Sequence, residues 1–248
     1  MSGLGIVVYL AAFACGAVAV RHWRRAGIPP WRGMGLHFDA RAWVDLGGGI
    51  IIGALVMGGI FGVEWASGTL DVSGVRLPGL DFMTWLLTLP FLALWEELLF
   101  RGLMLSGLVV MVRKRWLSVA VMAAFFGLAH AGNPNASALS VLGNALGALM
   151  YAVAFLGSGG IWLAAGLHFA WNFFQGPVLG FPVSGLDMGG LVQQSPAGSD
   201  LVTGGSYGPE AGLAGMAFRF VAIALLAGWL SLRPRSKRAW RPAVEQRG

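Results

Sequence analysis

Three apolar stretches of this sequence each carry a small cluster of reactive side chains. Glu96 and Glu97 stand with Arg101 inside the run 82–112, in the string Glu-Glu-Leu-Leu-Phe-Arg. His130 closes the run 116–130, four residues after Phe126. His168 and Asn172 lie four apart inside the run 161–180. Ionisable residues at membrane depth are costly, face the bundle interior and are functional candidates by default. Two carboxylates, two imidazoles and an amide together supply a hydrolytic site. A carboxylate or imidazole takes a proton from water, and imidazole or amide N–H groups receive a developing oxyanion.

Helical geometry divides the labour. Adjacent glutamates on a helix point about 100° apart, so Glu96 and Glu97 face different neighbours. Glu97 and Arg101 stack on one face, and a buried pair there neutralises both charges and fixes the helix orientation. Glu96 is left free to face water or substrate, as suits a general base. His168 and Asn172 also share a face, in a position to donate together. His130 stands alone on its helix with Phe126 packed one turn behind it. Glu96, His130 and His168 also form a conceivable Glu-His-His zinc set with an open fourth position. The zincin string HExxH is absent. Asn172 is a poor zinc ligand, so the reading favours water activation without a permanent metal and keeps zinc as the alternative.

The elements that hold these groups are membrane helices. Of 248 residues, 56% are hydrophobic and 11% charged, with a mean hydropathy of +0.70. A soluble domain is far less apolar and more charged. The runs approach the roughly 20 residues that span a bilayer. The sequence thus reads as an all-α, polytopic bundle forming one integral domain, 1–248, with about seven spans. These are 4–20, 45–63, 82–112, 116–131, 138–157, 161–180 and 211–232. Span 82–112 is too long to cross upright and must tilt, bend near Pro90 or extend into the headgroups. Glycines at four-residue spacing in the second and fifth spans, among them Gly49, Gly53, Gly143 and Gly147, permit close helix contact. Segment 181–210 is rich in glycine, serine and proline, and reads equally as a lid or a loose connector.

Charge sets the orientation. Arg21, Arg24, Arg25, Arg32 and Arg41 follow the first span, and Arg113, Lys114 and Arg115 precede the fourth. Arg233, Arg235, Lys237, Arg238, Arg241 and Arg247 follow the last. With seven crossings these 14 of the 17 basic residues share one side. The positive-inside rule then places the N-terminus outside and the C-terminus in the cytoplasm. The net charge of +6 is a topology signal, and scattered basic loops beside spans do not read as a nucleic-acid site. Trp23, Trp31, Trp43, Trp65, Trp116 and Trp240 read as interfacial belts. Cys15, the single cysteine, excludes an intrachain disulfide and a multi-cysteine metal site. The first run has its arginines after it, so it reads as an uncleaved span and not as a signal peptide.

The ordered set EExxxR, FxxxH and HxxxN on successive spans resembles the CPBP intramembrane protease family. That family takes in the type II CAAX prenyl endopeptidases and the bacteriocin-processing or immunity relatives also called Abi. The resemblance covers about 82–180, the expected catalytic core. It implies a membrane-embedded peptidase, traditionally called a metalloprotease, acting on a membrane-anchored peptide or protein in a cell membrane. It further implies that Glu96 and His130 activate a water, that His168 and Asn172 stabilise the oxyanion, and that Glu97 and Arg101 belong to the same site. Two other readings compete: an immunity or scaffold protein on the same fold, and a proton-coupled transporter, whose relays also use intramembrane Glu and His. No inverted repeat, the usual mark of a transporter, is visible in the sequence.

Overall fold

The computed structural model describes residues 3–232. The basic tail Arg233, Arg235, Lys237, Arg238, Arg241 and Arg247, with Trp240, lies outside the described residues. The chain runs α1 (Gly3–Arg25), a short α2 (Pro30–Gly33), α3 (Ala40–Ala66), β1 (Leu70–Val75), α4 (Leu80–Glu97), a π-helical segment (Leu98–Leu105), α5 (Ser106–Val112), α6 (Arg115–Ala129), α7 (Ala138–Ser158), α8 (Trp162–Phe173), a second π segment (Phe174–Val178), β2 (Val192–Pro196), α9 (Asp200–Thr203) and α10 (Leu213–Ser231). The all-α bundle is borne out. Among the described residues the departure from it is a two-stranded antiparallel sheet of β1 and β2, with Val72 opposite Gln194.

Helix ends follow local chemistry. The Asp39 carboxylate accepts from the backbone N–H groups of Arg41 and Ala42 at the start of α3. Ser137 and Ser140 form a reciprocal capping box at the start of α7, satisfying two donors the helix leaves open. Gly159, in the left-handed region, ends that helix.

Seven helical stretches coincide with the seven apolar runs. Among the described residues, four helices are long and apolar enough to cross a membrane: α1, α3, α7 and α10. The outward faces of these four helices and of α4 are apolar where a soluble protein would be polar. Phe91 of α4 is 75% exposed and Phe220 of α10 61%, the pattern of a bundle solvated by hydrocarbon. Trp43, Trp65 and Trp116 are exposed, as a belt requires, but Trp23 is buried. It packs so tightly on Gly33 that an added Cβ there would sit 2.3 Å from its ring. That tryptophan therefore serves the core.

The glycine pattern has a packing explanation. A Cβ at Gly49 would lie 2.4 Å from the Leu163 carbonyl, one at Gly53 2.6 Å from Ala170 Cβ, and one at Gly166 2.3 Å from the Leu46 carbonyl. Helices α3 and α8 thus meet backbone to backbone, which only small residues allow. This fixes α8, the helix carrying His168 and Asn172. The long third run does not break at Pro90, which lies within α4. Its irregularity comes eight residues later, where the backbone widens into the π segment immediately after Glu97.

The segment between α8 and α10 is built, not loose. Through β2 it pairs with β1. Arg76 donates to the carbonyls of Gly189 and Gly190, each at 2.7 Å, and pairs with Asp81. Val183 and Met188 pack with Leu89 and Phe173 in a second core cluster. Segment 181–210 is therefore a cover over one end of the bundle.

The seven-span orientation carries its own test. A reporter fused after Arg115 is expected to read cytoplasmic and one near Ser199 external; an external reading after Arg115 would refute that topology.

Candidate active site

Glu97 is the hub of the site. Its side chain is fully buried. Oε1 accepts from Arg101 Nη1 at 2.9 Å and faces His168 Nδ1 at 2.8 Å. The Arg101 guanidinium, equally buried, also donates to the Ala148 carbonyl at 3.2 Å. It lies over the rings of Phe126, at 4.6 Å, and Tyr151, at 5.0 Å. The i,i+4 pairing read from the sequence is present even though the helix widens between its partners. A π turn at such a point is a recurrent feature of functional sites.

The two histidines are set by what holds Nδ1. His130 caps the C-terminal end of α6, and its Nδ1 lies 2.8 Å from the Phe126 carbonyl. A carbonyl only accepts, so Nδ1 carries the proton and a neutral ring keeps its lone pair on Nε2. His168 is held twice: by Glu97 at Nδ1 and by Tyr151, stacked on its ring at 4.5 Å. Its Nε2 is 3.9 Å from Glu96 Oε2, beyond hydrogen-bond reach. Glu96 Oε2 is buried with no hydrogen-bond partner among the described residues.

Glu96, His130, His168 and Asn172 line one cavity of about 170 Å³, with Asn133, Asn144, Tyr151, Ser184, Glu210 and Arg219. They arrive from α4, the end of α6, and α8. Glu97 and Arg101 do not line the cavity; they stand behind its wall and hold His168. Met188, Leu186 and Val183 of the 181–210 cover close it from one side. Tyr207, outside the spanning helices, accepts from Asn144 Nδ2 at 2.8 Å. Burial, with Glu210 beside it, pushes the Tyr207 phenol up to about 12, so it stays protonated and can donate in turn.

Among the described residues, no three His, Cys, Asp or Glu side chains converge to hold a metal ion. Glu96, His130 and His168 share a cavity but do not form the three-ligand set the zinc alternative requires.

Sequence reasoning missed Tyr151, Glu210 and Arg219. A tyrosine in an apolar span carries no signal by itself. Arg219 did carry one: it is an ionisable residue inside an apolar run, the criterion that singled out the other clusters.

Apolar outer faces around a cavity that carries buried polar groups define a helical integral membrane protein. Residues 78–174 match the family model of type II CAAX prenyl endopeptidase Rce1-like proteins. The matched segment contains all three motifs, from Glu96 to Asn172, so the resemblance read from them is borne out there. At family level it supports a CAAX-type intramembrane endopeptidase. No curated protein matches the chain, and no solved structure does.

Proposed function

We propose that the chain hydrolyses a peptide bond in a membrane-anchored peptide or protein, with 82–180 as the catalytic core of a single domain. The observation that supports this best is the unpartnered Glu96 oxygen facing the same cavity as two oriented histidines and Asn172. Glu96 Oε2 and His130 Nε2 are both acceptors, one for each hydrogen of a water molecule. Glu96 takes the proton as the water oxygen attacks the substrate carbonyl. The resulting oxyanion accepts from Asn172 Nδ2–H and from Nε2–H of His168. The proton on Glu96 then passes to the leaving amine as the C–N bond breaks. Glu97 and Arg101 act through His168, as positioning residues.

The test uses purified protein in detergent and a library of N-acylated peptides in ¹⁸O-water. Cleavage with one ¹⁸O in the new carboxyl group is the expected result. An intact library, with the biological effect retained in Glu96→Gln, would favour the scaffold reading. Asn172→Ala is expected to cut turnover by about 100- to 1000-fold, with KM little changed, because it removes one oxyanion donor. A loss expressed wholly in KM would remove Asn172 from that role.

A further inference from the structure

Arg219 of α10 lies outside the matched segment and outside the chemistry above, yet it lines the same cavity. Its residue is 2% exposed. Nε and Nη1 are buried without a hydrogen-bond partner among the described residues. The guanidinium stacks on the Trp171 ring at 4.8 Å, and Trp171 directly precedes Asn172. A buried cation left unpaired is strongly destabilising, so such a group is retained where an anion completes it.

Glu210, a carboxylate lining the same cavity, makes no ion pair with it among the described residues. Glu210 Oε2 is taken by the backbone N–H of Ser184 at 2.5 Å and its hydroxyl at 2.8 Å. The fold makes room for both groups through two glycines of α7. A Cβ at Gly143 would lie 1.8 Å from the Glu210 carbonyl oxygen, and one at Gly147 3.3 Å from Arg219 Nε. These are the glycines of the fifth span. They admit α10 and the end of the cover against α7, so that the guanidinium sits in the cavity wall and is not turned to lipid.

We propose that Arg219 forms a carboxylate subsite of the cavity, receiving a carboxylate of the peptide substrate beside the bond to be cut. The inference rests on the peptidase reading for the identity of its ligand. Every peptide carries one such group at its C-terminus, and some carry others on Asp or Glu side chains. A planar guanidinium recognises either with charge-assisted hydrogen bonds. Trp171 holds the guanidinium plane from below, and Asn172 sets the distance to the reacting carbonyl.

The probes are three N-acylated peptides of one sequence: the free acid, its C-terminal amide, and the amide with glutamate as last residue. Binding is measured on full-length Glu96→Gln protein in detergent, where no turnover intervenes. The free acid is expected to bind about 10- to 100-fold more tightly than the amide, the range of a hydrogen bond to a charged group. Adding Arg219→Gln is expected to abolish the difference. Recovery of tight binding by the glutamate peptide shows that the subsite takes a side-chain carboxylate as well, and no recovery restricts it to the terminal one. Equal binding of all three peptides would overturn the subsite, and that comparison stands even if Arg219→Gln does not fold. Cleavage by the wild type is followed in parallel. Discrimination in binding without cleavage overturns the peptidase reading and leaves the subsite. Cleavage of acid and amide with equal kcat/KM does the reverse.

Discussion

Glu96→Gln is expected to lower turnover by about 10²- to 10⁴-fold, the range for losing a positioned general base, while the protein still folds and purifies. The substitution changes shape very little. The Oε2 atom it replaces has no hydrogen-bond partner among the described residues, and the nearest ring nitrogen, on His168, is 3.9 Å away. Glutamine therefore breaks no buried bond, but it cannot accept a proton from water. Turnover should fall with KM nearly constant, because the carboxylate is needed in the transition state more than in the bound state. Circular dichroism and thermal melting in detergent should match the wild type. Turnover within tenfold of wild type in well-folded Glu96→Gln would show that another group takes the proton.

Arg101→Ala is expected to act in the opposite way, by removing the folded protein. The guanidinium has no exposed surface, and its loss leaves the Glu97 carboxylate buried without its countercharge. Breaking a buried pair from one side costs about 3–5 kcal/mol, a large share of the roughly 5–15 kcal/mol that holds a domain together. The variant also loses the bond to Ala148 and the contacts with Phe126 and Tyr151. His168 is held by the same Glu97 oxygen, so any surviving protein should have a misplaced imidazole and little activity. Yield after detergent extraction and the melting temperature measure the effect. Purification of Arg101→Ala at wild-type yield and stability would show that the pair is not structural.

Much of the molecule was legible in the sequence because each signal was local. Apolar runs of near-bilayer length announced the helices, and four-residue spacing announced the Glu97–Arg101 pair. Glycine spacing announced close helix contact at the second and fifth spans, without naming the partner helices. The three motifs announced the family over the segment that matches it. The cover was not legible. Its order comes from β1 pairing with β2 about 120 residues away and from Arg76 reaching Gly189 and Gly190, and composition does not encode such partners. Trp23 misled for a similar reason: position beside arginines suggested an interface, whereas its partner Gly33 made it core.

By itself the sequence determined which reactive side chains stand in apolar runs and which helices carry them. Residue type and helical period decide both, and neither depends on distant contacts. The tertiary structure alone decided that Glu97 holds His168 as well as Arg101, and that His130 presents Nε2. It alone brought Arg219, Glu210 and Tyr151 into the same cavity wall. Those facts depend on how α3, α7, α8 and α10 pack together, at distances set by Gly143, Gly147 and Gly166, and a spacing along one chain does not state which surfaces meet.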